Sequence, residues 1–563
     1  MIISKKTIKY CLVLVVITYI LSVILLASVP PTSLDALIHH LYIPRLYLEH
    51  GGIFEIPDLV YSYYPMNLDL LYMIPLFLGN DIIPKYIHFL FALLTALLIY
   101  RYLKRKTNSI YALVGALFFL SIPVILKLSI TAYVDLGLIF FTTASLLLLF
   151  RWLKNGCTLR HLLLSGICCG LAVGTKYNGL ISLFLLTSFI PILFIRSQPG
   201  DRQKNRKSLG YAVIFLCTAL FTCSPWLIRN YTWTGNPIFP LYNSLFQKTT
   251  SSSPGSKEIH PGRSREALKT VINRGSSVFV YRKFLYQEKW WHTLLLPIRF
   301  FFQGQDNNPR YFDGKLTPFL FLLPFFAFTR TSPTKACQFE KFTLLAFSLL
   351  FFFFTFFYEA MRIRYIACSI PGLVILSIFG LQNIFLLIKQ RSDNQLRMIL
   401  RPLGPALLFL MFAYNTNYLI DQFSIIRPIA FLNGTISREQ YLNQNLAEYR
   451  TIQYANSQVS VNDKVLCLFL GNRGYYMNFK PVFEKPSQKG VFARILKSAK
   501  PDKDIKSELQ SMGINFLLLR EDLTAHWYQR LDTSDQTQIA TFFQQDTKNL
   551  FSSGGYSFYR IRE

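Results

Sequence analysis

Long apolar runs constrain the possible folds of this chain more than any other feature. A helix needs about 20 mostly apolar residues to cross the roughly 30 Å hydrocarbon core of a membrane, and the 563-residue sequence contains about eleven such runs. They are predicted at Tyr10–Val29, Pro84–Tyr102, Ile110–Leu126, Tyr133–Trp152, Leu159–Gly174, Leu180–Ile195, Leu209–Ile228, Leu316–Phe328, Phe342–Phe357, Tyr365–Ile388 and Pro402–Tyr418. Charged residues make up 16% of the chain, against roughly 25% in soluble domains. The sequence therefore predicts an α-helical polytopic membrane protein and excludes soluble and disordered classes.

The distribution of basic residues predicts the orientation of these spans. The chain carries 59 Lys and Arg against 30 Asp and Glu, an excess that would suggest a nucleic-acid partner in a soluble protein. Here the basic connections, such as Arg101–Lys106, Arg196–Lys207 and Lys389–Arg401, all fall on the side of the basic N-terminus, as the positive-inside rule requires. We therefore expect a cytoplasmic N-terminus, an extracytoplasmic C-terminal region and no nucleic-acid partner.

The sequence predicts two domains, a membrane domain at residues 1–420 and an extracytoplasmic α/β domain at residues 421–563. The membrane domain has two large outer loops, residues 30–83 and 230–315. The aromatic stretches LDALIHHLYIPRLYLEHG, YYPMNLDLLYMIPLFLG and KWWHTLLLPIRFFFQG in these loops are typical of interfacial helices, and a polar stretch surrounds residues 249–262. In the C-terminal domain, VLCLFLG, INFLLLR and SFYRIR are typical of strands, and RILKSAK and KSELQSMG of helices.

Ionisable residues near the outer ends of the predicted spans indicate where chemistry could occur, because charge at membrane depth is costly. On this side lie Asp35, Lys127, Asp135, Lys176, Arg229, Arg299, Arg362 and Arg364. Two carboxylates with several cations suit the transfer of a group from a phosphate-bearing lipid. Cations can take up the charge that develops on the phosphate, and a carboxylate can act as general base. We therefore predict Asp35 as the base, with Lys176, Arg362 and Arg364 holding the phosphate.

Structural alternatives remain open for each of these residues. Asp35 could cap the first outer helix, Asp135 could pair with Lys127, and single cations beside spans often only anchor a helix. Asp35 and His39 could share a helix face as metal ligands, but two ligands are too few for a metal site. The glycine-rich nucleotide-binding patterns are absent from the sequence, and we expect no metal and no cofactor.

Six segments taken in order resemble the GT-C superfamily of membrane glycosyltransferases, in particular the branch of protein O-mannosyltransferases and lipid A aminoarabinose transferases. They are SLDALIHHLYIPRLYLEHG, AYVDLGLIFF, GLAVGTKYNGL, SPWLIRNYTWTGNPIFPLYN, NPRYFDGKLTP and MRIRYIACSIPGL. The resemblance covers roughly Met1 to Tyr418, and the C-terminal region is comparable to the extracytoplasmic domains often appended in such proteins.

The resemblance implies roles for particular residues. Asp35 corresponds to the catalytic acid of the first outer loop and Asp135 to a second acid near the active site, and both are predicted to be catalytic. Lys176 corresponds to the lysine that approaches the donor phosphate. Arg364 and Tyr365 resemble the Arg-Tyr pair that opens a late span, and Tyr365 is predicted to bind the donor phosphate together with the cations. The remaining candidates for substrate binding are His39, Lys127, Arg299, Arg310 and Asp313. Ala36 follows Asp35 where mannosyltransferase-like members often carry Asp-Glu, a difference that bears on protein mannosylation and not on the general chemistry.

The expected function is an inverting glycosyltransferase that moves a sugar from a polyprenyl-phosphate donor to an envelope glycan, lipid or protein acceptor. The expected location is the outer face of a bacterial inner membrane. One alternative is a transporter or flippase of lipid-linked glycans, although transporters place polar groups near the bilayer midplane, often in two related halves. Another alternative is a non-catalytic membrane protein that binds envelope glycans.

Overall fold

A computed structural model describes residues 4–198, 203–246, 278–329, 335–356, 361–390, 393–484, 490–497 and 504–562. The chain forms two compact units. The first unit comprises Met1–Ala27, Tyr63–Leu71 and Ile83–Arg427, and the second comprises Ser28–Ser62, Tyr72–Ile82 and Pro428–Glu563. The polar stretch predicted around residues 249–262 lies outside the described residues.

The helices up to the middle of the chain are α1 (Lys5–Ala27), α2 (Tyr42–His50), α3 (Asn67–Phe77), α4 (Ile83–Lys106), α5 (Ser109–Ser121), α6 (Pro123–Ser129), α7 (Asp135–Lys154), α8 (Leu159–Val173), α9 (Gly179–Ser197) and α10 (Lys204–Thr234). They are followed by α11 (Asn243–Phe246), α12 (Val278–Tyr286), α13 (Trp290–Leu294), α14 (Leu296–Phe302), α15 (Phe319–Leu322), α16 (Lys335–Phe356), α17 (Ile370–Lys389), α18 (Asn394–Leu400) and α19 (Leu403–Ile426). Short π or 3-10 turns occupy Ala36–His40, Val60–Tyr63, Pro309–Tyr311, Leu323–Phe328 and Ile363–Ser369.

The C-terminal region contains the helices α20 (Pro428–Leu432), α21 (Arg438–Asn445), α22 (Tyr449–Gln458), α23 (Val491–Lys497), α24 (Ile505–Ser511), α25 (Glu521–Tyr528) and α26 (Thr533–Thr541), and a π turn at Phe542–Asp546. Its strands are β1 (Lys464–Leu468), β2 (Lys480–Phe483), β3 (Ile514–Arg520), β4 (Thr547–Ser553) and β5 (Tyr556–Ile561).

The first unit confirms the prediction of a multi-pass helical protein, but not the count of eleven spans. In the described part of the chain, eight helices are long and apolar enough to cross a membrane, or nine if one bent pair counts as a span. The bent pair is α5 and α6, which meet at 67° where Ile122 is extended ahead of Pro123. Two further predicted runs, Leu159–Gly174 and Leu316–Phe328, form apolar helices that are shorter than a span.

Glycines bring α8 into close contact with α10. Gly166 and Gly170 lie one helical turn apart, and a Cβ atom on Gly170 would lie 2.4 Å from the carbonyl oxygen of Ala219 in α10. Small residues at this spacing allow the backbones of membrane helices to approach closely. At the end of α8, the backbone N–H of Asn67 donates to the Gly174 carbonyl (2.9 Å), which holds the following turn in place.

The second unit is built on a five-stranded sheet with the order β2-β1-β3-β5-β4. β1 pairs in parallel with both β2 and β3, whereas β5 pairs antiparallel with β3 and β4. The predicted α/β architecture is confirmed, and the three predicted strands correspond to β1, β3 and β5. The sequence analysis missed β2 and β4, which form the two edges of the sheet.

The first outer loop contributes most of its length to this second unit. The backbone N–H of Tyr475 donates to the Leu37 carbonyl, and the guanidinium of Arg45 donates to the Tyr475 carbonyl. Arg438 binds both carboxylate oxygens of Asp81. Residues 28–62 and 72–82 therefore pack with residues 428–563. The domain boundary predicted at residue 420 stays a prediction. The second unit combines most of the outer loop with the C-terminal region, so it is not one continuous segment of the chain.

Candidate active site

Asp135 is a buried carboxylate at the start of a long helix. It is the first residue of α7 and only 2% exposed. The fully buried His88 of α4 holds this helix end, because its Nε2 accepts the N–H of Leu136 (2.9 Å). Its Nδ1 lies 2.9 Å from the carbonyl oxygens of both Leu128 and Thr131 and donates to them, so the ring is the neutral Nδ1–H tautomer. The partial positive charge of the helix N-terminus favours a carboxylate at this position.

Lys176 forms an ion pair with Asp135. The Lys176 Nζ donates to the Asp135 Oδ1 over 2.7 Å, and the two side chains are 20% and 3% exposed. Lys176 lies in the turn between α8 and α9, where its N–H donates to Ala172 (3.1 Å) and its carbonyl accepts from Gly179 (2.8 Å). The alternative in which Lys127 pairs with Asp135 is therefore wrong, and the partner comes from a different helix connection.

The second carboxylate oxygen of Asp135 is available to a further hydrogen-bond donor. The Oδ2 atom is buried and has no hydrogen-bond partner among the residues that the structure describes. An unsatisfied buried acceptor costs roughly 1–3 kcal/mol, and more for a charged group. Such an atom at the edge of a candidate site can accept a hydrogen bond from a ligand.

Arg364 and Tyr365 complete this group from the 3-10 turn Ile363–Ser369, which packs against α7. The Lys176 Nζ lies 5.3 Å from the centroid of the Tyr365 ring. The Arg364 guanidinium lies 5.2 Å from the Tyr133 ring centroid and 5.3 Å from that of Tyr365, and its charge acts favourably on Asp135. We call Asp135, Lys176, Arg364 and Tyr365 the lysine–arginine cluster. The sequence analysis predicted that these four residues belong to one site, and the structure brings them together.

Arg362 makes a different contact. Its Nε lies 3.5 Å from the Oδ2 of Asp313, and both side chains are partly exposed. Asp313 occupies a tight turn with a positive φ of 40°, and its Oδ1 accepts the N–H of Asn307 (3.1 Å). The N–H of Ile363 donates to the Phe312 carbonyl (2.8 Å), which joins this turn to the segment that carries Arg364.

Arg299, predicted to bind substrate, belongs instead to a buried ion cluster. Arg282 donates to both oxygens of Glu288 (2.8 Å each), and the Arg299 Nη2 donates to the Oε1 of the same carboxylate (2.9 Å). Burial opposes ionisation of Glu288, but the hydrogen bonds from the two arginines outweigh it and lower its pKa to about 2. The carbonyl of the exposed Arg310 accepts from Arg282 (2.7 Å), so these contacts brace the second outer loop.

Asp35 and His39 lie in the second unit. Asp35 is the N-cap residue of the turn Ala36–His40, but its side chain makes no capping hydrogen bond, so the capping alternative does not explain it. The His39 ring stacks on Tyr61 with centroids 4.5 Å apart. In the described part of the chain, no group of three or more His, Cys, Asp or Glu side chains could hold a metal ion.

The sequence analysis missed His88, Arg282 and Glu288. A histidine inside the predicted span Pro84–Tyr102 was a visible signal, because polar residues at membrane depth are costly. Arg282 and Glu288 gave no such signal, since their charges lie in a loop outside the predicted spans. Arg229, which the sequence analysis placed at the outer boundary, lies between Trp226 and Trp233, with centroid distances of 4.6 and 4.8 Å.

Comparison with known proteins supports the predicted resemblance. Residues 74–228 match the family model of dolichyl-phosphate-mannose-protein mannosyltransferases. This segment contains α4 to α9, and with them His88, Asp135 and Lys176. No curated protein matches the sequence.

Solved structures share the fold at low sequence identity. ArnT from Cupriavidus metallidurans in the apo state superposes with a TM-score of 0.58 at 12% identity, covering 98% of this chain and 97% of that chain. The same protein bound to undecaprenyl phosphate gives 0.56 at 13% identity, with 97% of both chains covered. The oligosaccharyltransferase AglB from Archaeoglobus fulgidus, in complex with an inhibitory peptide and a dolichol-phosphate, gives 0.50 at 12% identity, covering 99% of this chain and 74% of that chain. The structural matches confirm the predicted GT-C-like fold. The family match over residues 74–228 agrees with the predicted enzyme class, a glycosyltransferase.

Proposed function

We propose that the lysine–arginine cluster binds the phosphate of a polyprenyl-phosphate sugar, and that the protein transfers this sugar to an acceptor with inversion at the anomeric carbon. The observation that carries the proposal is the contact between Lys176 and Asp135, with Arg364 beside it. The buried carboxylate fixes the position of the ammonium group, and both cations lie over the ring of Tyr365. This arrangement supplies positive charge at fixed points before any substrate binds.

The cluster would act on the leaving group. The bond between the anomeric carbon and the phosphate oxygen breaks, and its electron pair stays on the phosphate. Lys176 would donate a hydrogen bond to a phosphate oxygen, and the guanidinium of Arg364 would stabilise the added negative charge. The product that leaves is the polyprenyl phosphate.

The acceptor would attack from the opposite face of the sugar. Its oxygen or nitrogen forms a bond to the anomeric carbon, and its proton passes to a carboxylate base. The resemblance assigns this base to Asp35, and that role stays a prediction. Asp135 would act as a positioning residue, because it touches Lys176 and holds the ammonium group in place.

The lipid part of the donor is inferred from the comparisons. ArnT is described in complex with undecaprenyl phosphate and AglB with a dolichol-phosphate. Both are phosphates on a long isoprenoid chain, and we infer a donor of this class for the present chain. An envelope glycan, lipid or protein would then be the acceptor, at the outer face of the inner membrane.

The proposal is tested by the release of polyprenyl phosphate. The full chain, purified in lipid nanodiscs, is incubated with undecaprenyl-phosphate sugar labelled in the lipid, together with an extract of envelope glycans and lipids as acceptor. We expect the sugar-free lipid phosphate to appear, and we expect Lys176→Gln and Arg364→Gln each to slow its release about 100-fold, the usual cost of removing one fixed charge donor.

A matched variant separates the site from a general effect of charge. Lys154→Gln removes an exposed lysine from the far end of α7, the helix that begins with Asp135, and should leave the rate unchanged. The proposal is contradicted if Lys176→Gln retains full activity. In sealed proteoliposomes, lipid that crosses the bilayer with its sugar still attached would instead indicate a flippase.

A further inference from the structure

The second unit contains a polar cleft that the proposed transfer chemistry does not use. Its volume is about 560 Å³, within the range of about 300–1,000 Å³ that small-molecule sites usually occupy. The charged and aromatic side chains that line it are Glu448, Arg473, Arg520, Glu521, Asp522 and Tyr556.

The cleft lies where the topology of the sheet favours ligand binding. β1 and β3 are parallel neighbours, so their carboxyl ends lie at the same edge of the sheet. The chain leaves β1 towards β2 on one side, and leaves β3 towards β4 on the other. Connections that diverge in this way open a crevice outside the carboxyl ends of the strands. Arg473 follows β1 and Asp522 follows β3, so both residues come from these diverging connections.

Four of the five charged side chains that line the cleft form two ion pairs, and the fifth, Glu521, accepts a hydrogen bond from the Ser557 hydroxyl. The Arg473 Nη1 lies 2.6 Å from the Oε1 of Glu448, which is 3% exposed. Arg520 contacts both oxygens of Asp522, at 2.7 and 2.9 Å. Two guanidinium groups face three carboxylates, so the cleft has no excess of positive charge that would attract a phosphate or another anion.

Many hydrogen-bonding groups nevertheless line a small volume. A guanidinium group carries five N–H donors, and each ionised carboxylate offers about four acceptor positions. Within the described residues, the hydrogen bonds of Arg473 go to Glu448 and to the Leu470 carbonyl (3.2 Å), which leaves further donors on the same group. Donors and acceptors in alternation fit a ligand whose own groups both donate and accept, and hydroxyl groups do both.

The backbone keeps one wall of the cleft open. Gly554 and Gly555 form the turn between β4 and β5 with φ values of 62° and 78°, a region that favours glycine. A Cβ atom on Gly554 would lie 2.6 Å from the carbonyl oxygen of Ala447, so a larger residue there would displace the lining.

We propose that this cleft binds a neutral sugar ring through its hydroxyl groups, as a carbohydrate-binding site of the C-terminal region. The arginine and carboxylate pairs bind neighbouring hydroxyls, and the backbone of the glycine turn and of Ala447 closes the cleft around the ring. Binding at this cleft does not require the transfer reaction, so this proposal is tested separately from the proposed function.

The test uses saturation-transfer difference NMR on the full chain in lipid nanodiscs, without sugar-based detergent. The probes are maltose, mannobiose and galactobiose as neutral disaccharides, glucuronic acid as an anionic sugar and glucosamine as a cationic sugar. We expect saturation transfer to at least one neutral disaccharide, stronger than the transfer to either charged sugar. A double variant, Arg520→Gln with Asp522→Asn, should weaken that binding about tenfold, the equivalent of one or two lost hydrogen bonds.

Two controls distinguish an effect of the double variant on folding from an effect on binding. The Arg520–Asp522 pair is largely exposed, so its loss should barely change the thermal midpoint. Lys548→Gln removes an exposed charge from β4, outside the cleft lining, and should leave the transfer unchanged. Absence of transfer to every neutral probe, preference for a charged sugar, or full binding by the double variant would overturn the proposal.

Discussion

The charge of Asp135 depends on Lys176, its one close charged partner within the described part of the chain. A buried carboxylate is stable as an anion only if a cation or several hydrogen-bond donors compensate for its loss of hydration. Asp135 is 2% exposed, and the Lys176 ammonium provides this compensation through a short hydrogen bond. Removing one member of a buried pair costs about 3–5 kcal/mol, whereas removing both costs far less. A comparison of single and double variants of this pair therefore separates its effect on stability from its effect on the reaction.

We expect Asp135→Asn to reduce both stability and turnover. The neutral amide keeps the shape of the side chain but leaves the Lys176 ammonium partly buried without its counter-charge. In the double variant Asp135→Asn with Lys176→Gln, the thermal midpoint should recover while release of polyprenyl phosphate stays at least about 100-fold slower. Thermal unfolding and turnover of the two variants provide the measurement. Recovery of activity together with stability in the double variant would contradict a role in the reaction.

Glu288 should make stability depend on pH in the acid range. Its pKa falls from 4.5 to about 2 in the folded protein, so the folded state binds this proton less readily than the unfolded state. The stabilising contribution is therefore fully present above about pH 4.5 and is lost as the pH falls towards 2. In Glu288→Gln, the thermal midpoint should be lower at pH 7, because Arg282 and Arg299 lose their buried partner, and should decline less between pH 6 and pH 3.

The matched control for this prediction is Glu439→Gln, which removes an exposed carboxylate from the first turn of α21. Its midpoint should follow that of the parent protein at each pH. Equal acid sensitivity of the parent protein and Glu288→Gln would refute the assigned role of Glu288.

Arg299 illustrates the limit of prediction from single residues. Its position near the outer boundary suggested substrate binding, and the same sequence position is compatible with a structural ion pair. The contacts of Glu288 with Arg299 and Arg282 favour the structural ion pair. Glu288 and Arg282 lie 11 and 17 positions before Arg299, and the three side chains come together only in the folded loop. For Asp135 and Lys176, by contrast, the residue types already indicated that both belong to one site. Their direct contact was not predictable, because the two residues are 41 positions apart in the sequence.

At the level of elements, the contact between α8 and α10 positions the turn that carries Lys176. Replacing Gly170 with a residue that has a Cβ atom would place that atom 2.4 Å from the backbone of Ala219. Because backbone atoms cannot yield as a side-chain end can, α8 would have to move away from α10. The turn after α8, and Lys176 with it, would move as well.

We expect Gly170→Ala to lower both the thermal midpoint and the rate of donor turnover. Gly210→Ala is the control, because Gly210 lies in α10 and a Cβ atom there would meet nothing within 4 Å. This control should be neutral or slightly stabilising, as alanine favours helices. If both alanine variants behave alike in unfolding and in turnover, close packing at Gly170 does not position the site.

The elements that the sequence analysis missed share a physical cause. β2 and β4 are the edge strands of the sheet, and their side chains are less buried than those of β1 and β3. A strand that is half exposed lacks the continuous apolar run that marks a buried strand, so composition alone does not reveal it. The bend at Pro123, however, was available from the sequence, since the residue before proline disfavours the helical conformation.

At the scale of the second unit, Asp81 and Arg438 join the first outer loop to the C-terminal region. Asp81 is 6% exposed, and the hydroxyl of Tyr475 also contacts its carboxylate (3.4 Å). We expect Asp81→Arg to lower the thermal midpoint and to increase amide hydrogen exchange in residues 28–62, because two arginines would then face each other. The charge reversal Asp81→Arg with Arg438→Asp should restore part of the loss, as expected for residues in direct contact.

Two outcomes would argue against this coupling. One is unchanged hydrogen exchange in Asp81→Arg, and the other is a double variant whose destabilisation equals the sum of the single effects. Arg450→Gln, which removes another exposed arginine of the same region, serves as the control and should leave exchange in residues 28–62 unchanged.

For the molecule as a whole, the sequence by itself determined the class of fold, because the length and apolarity of a span are local properties that the membrane imposes. It also indicated the residue types of the lysine–arginine cluster and the α/β character of the C-terminal region. The tertiary structure alone decided which charges meet: Lys176 and not Lys127 at Asp135, Glu288 at Arg299, and Asp81 at Arg438. Ion pairs between distant positions depend on how helices and loops pack, and a linear sequence does not contain those distances.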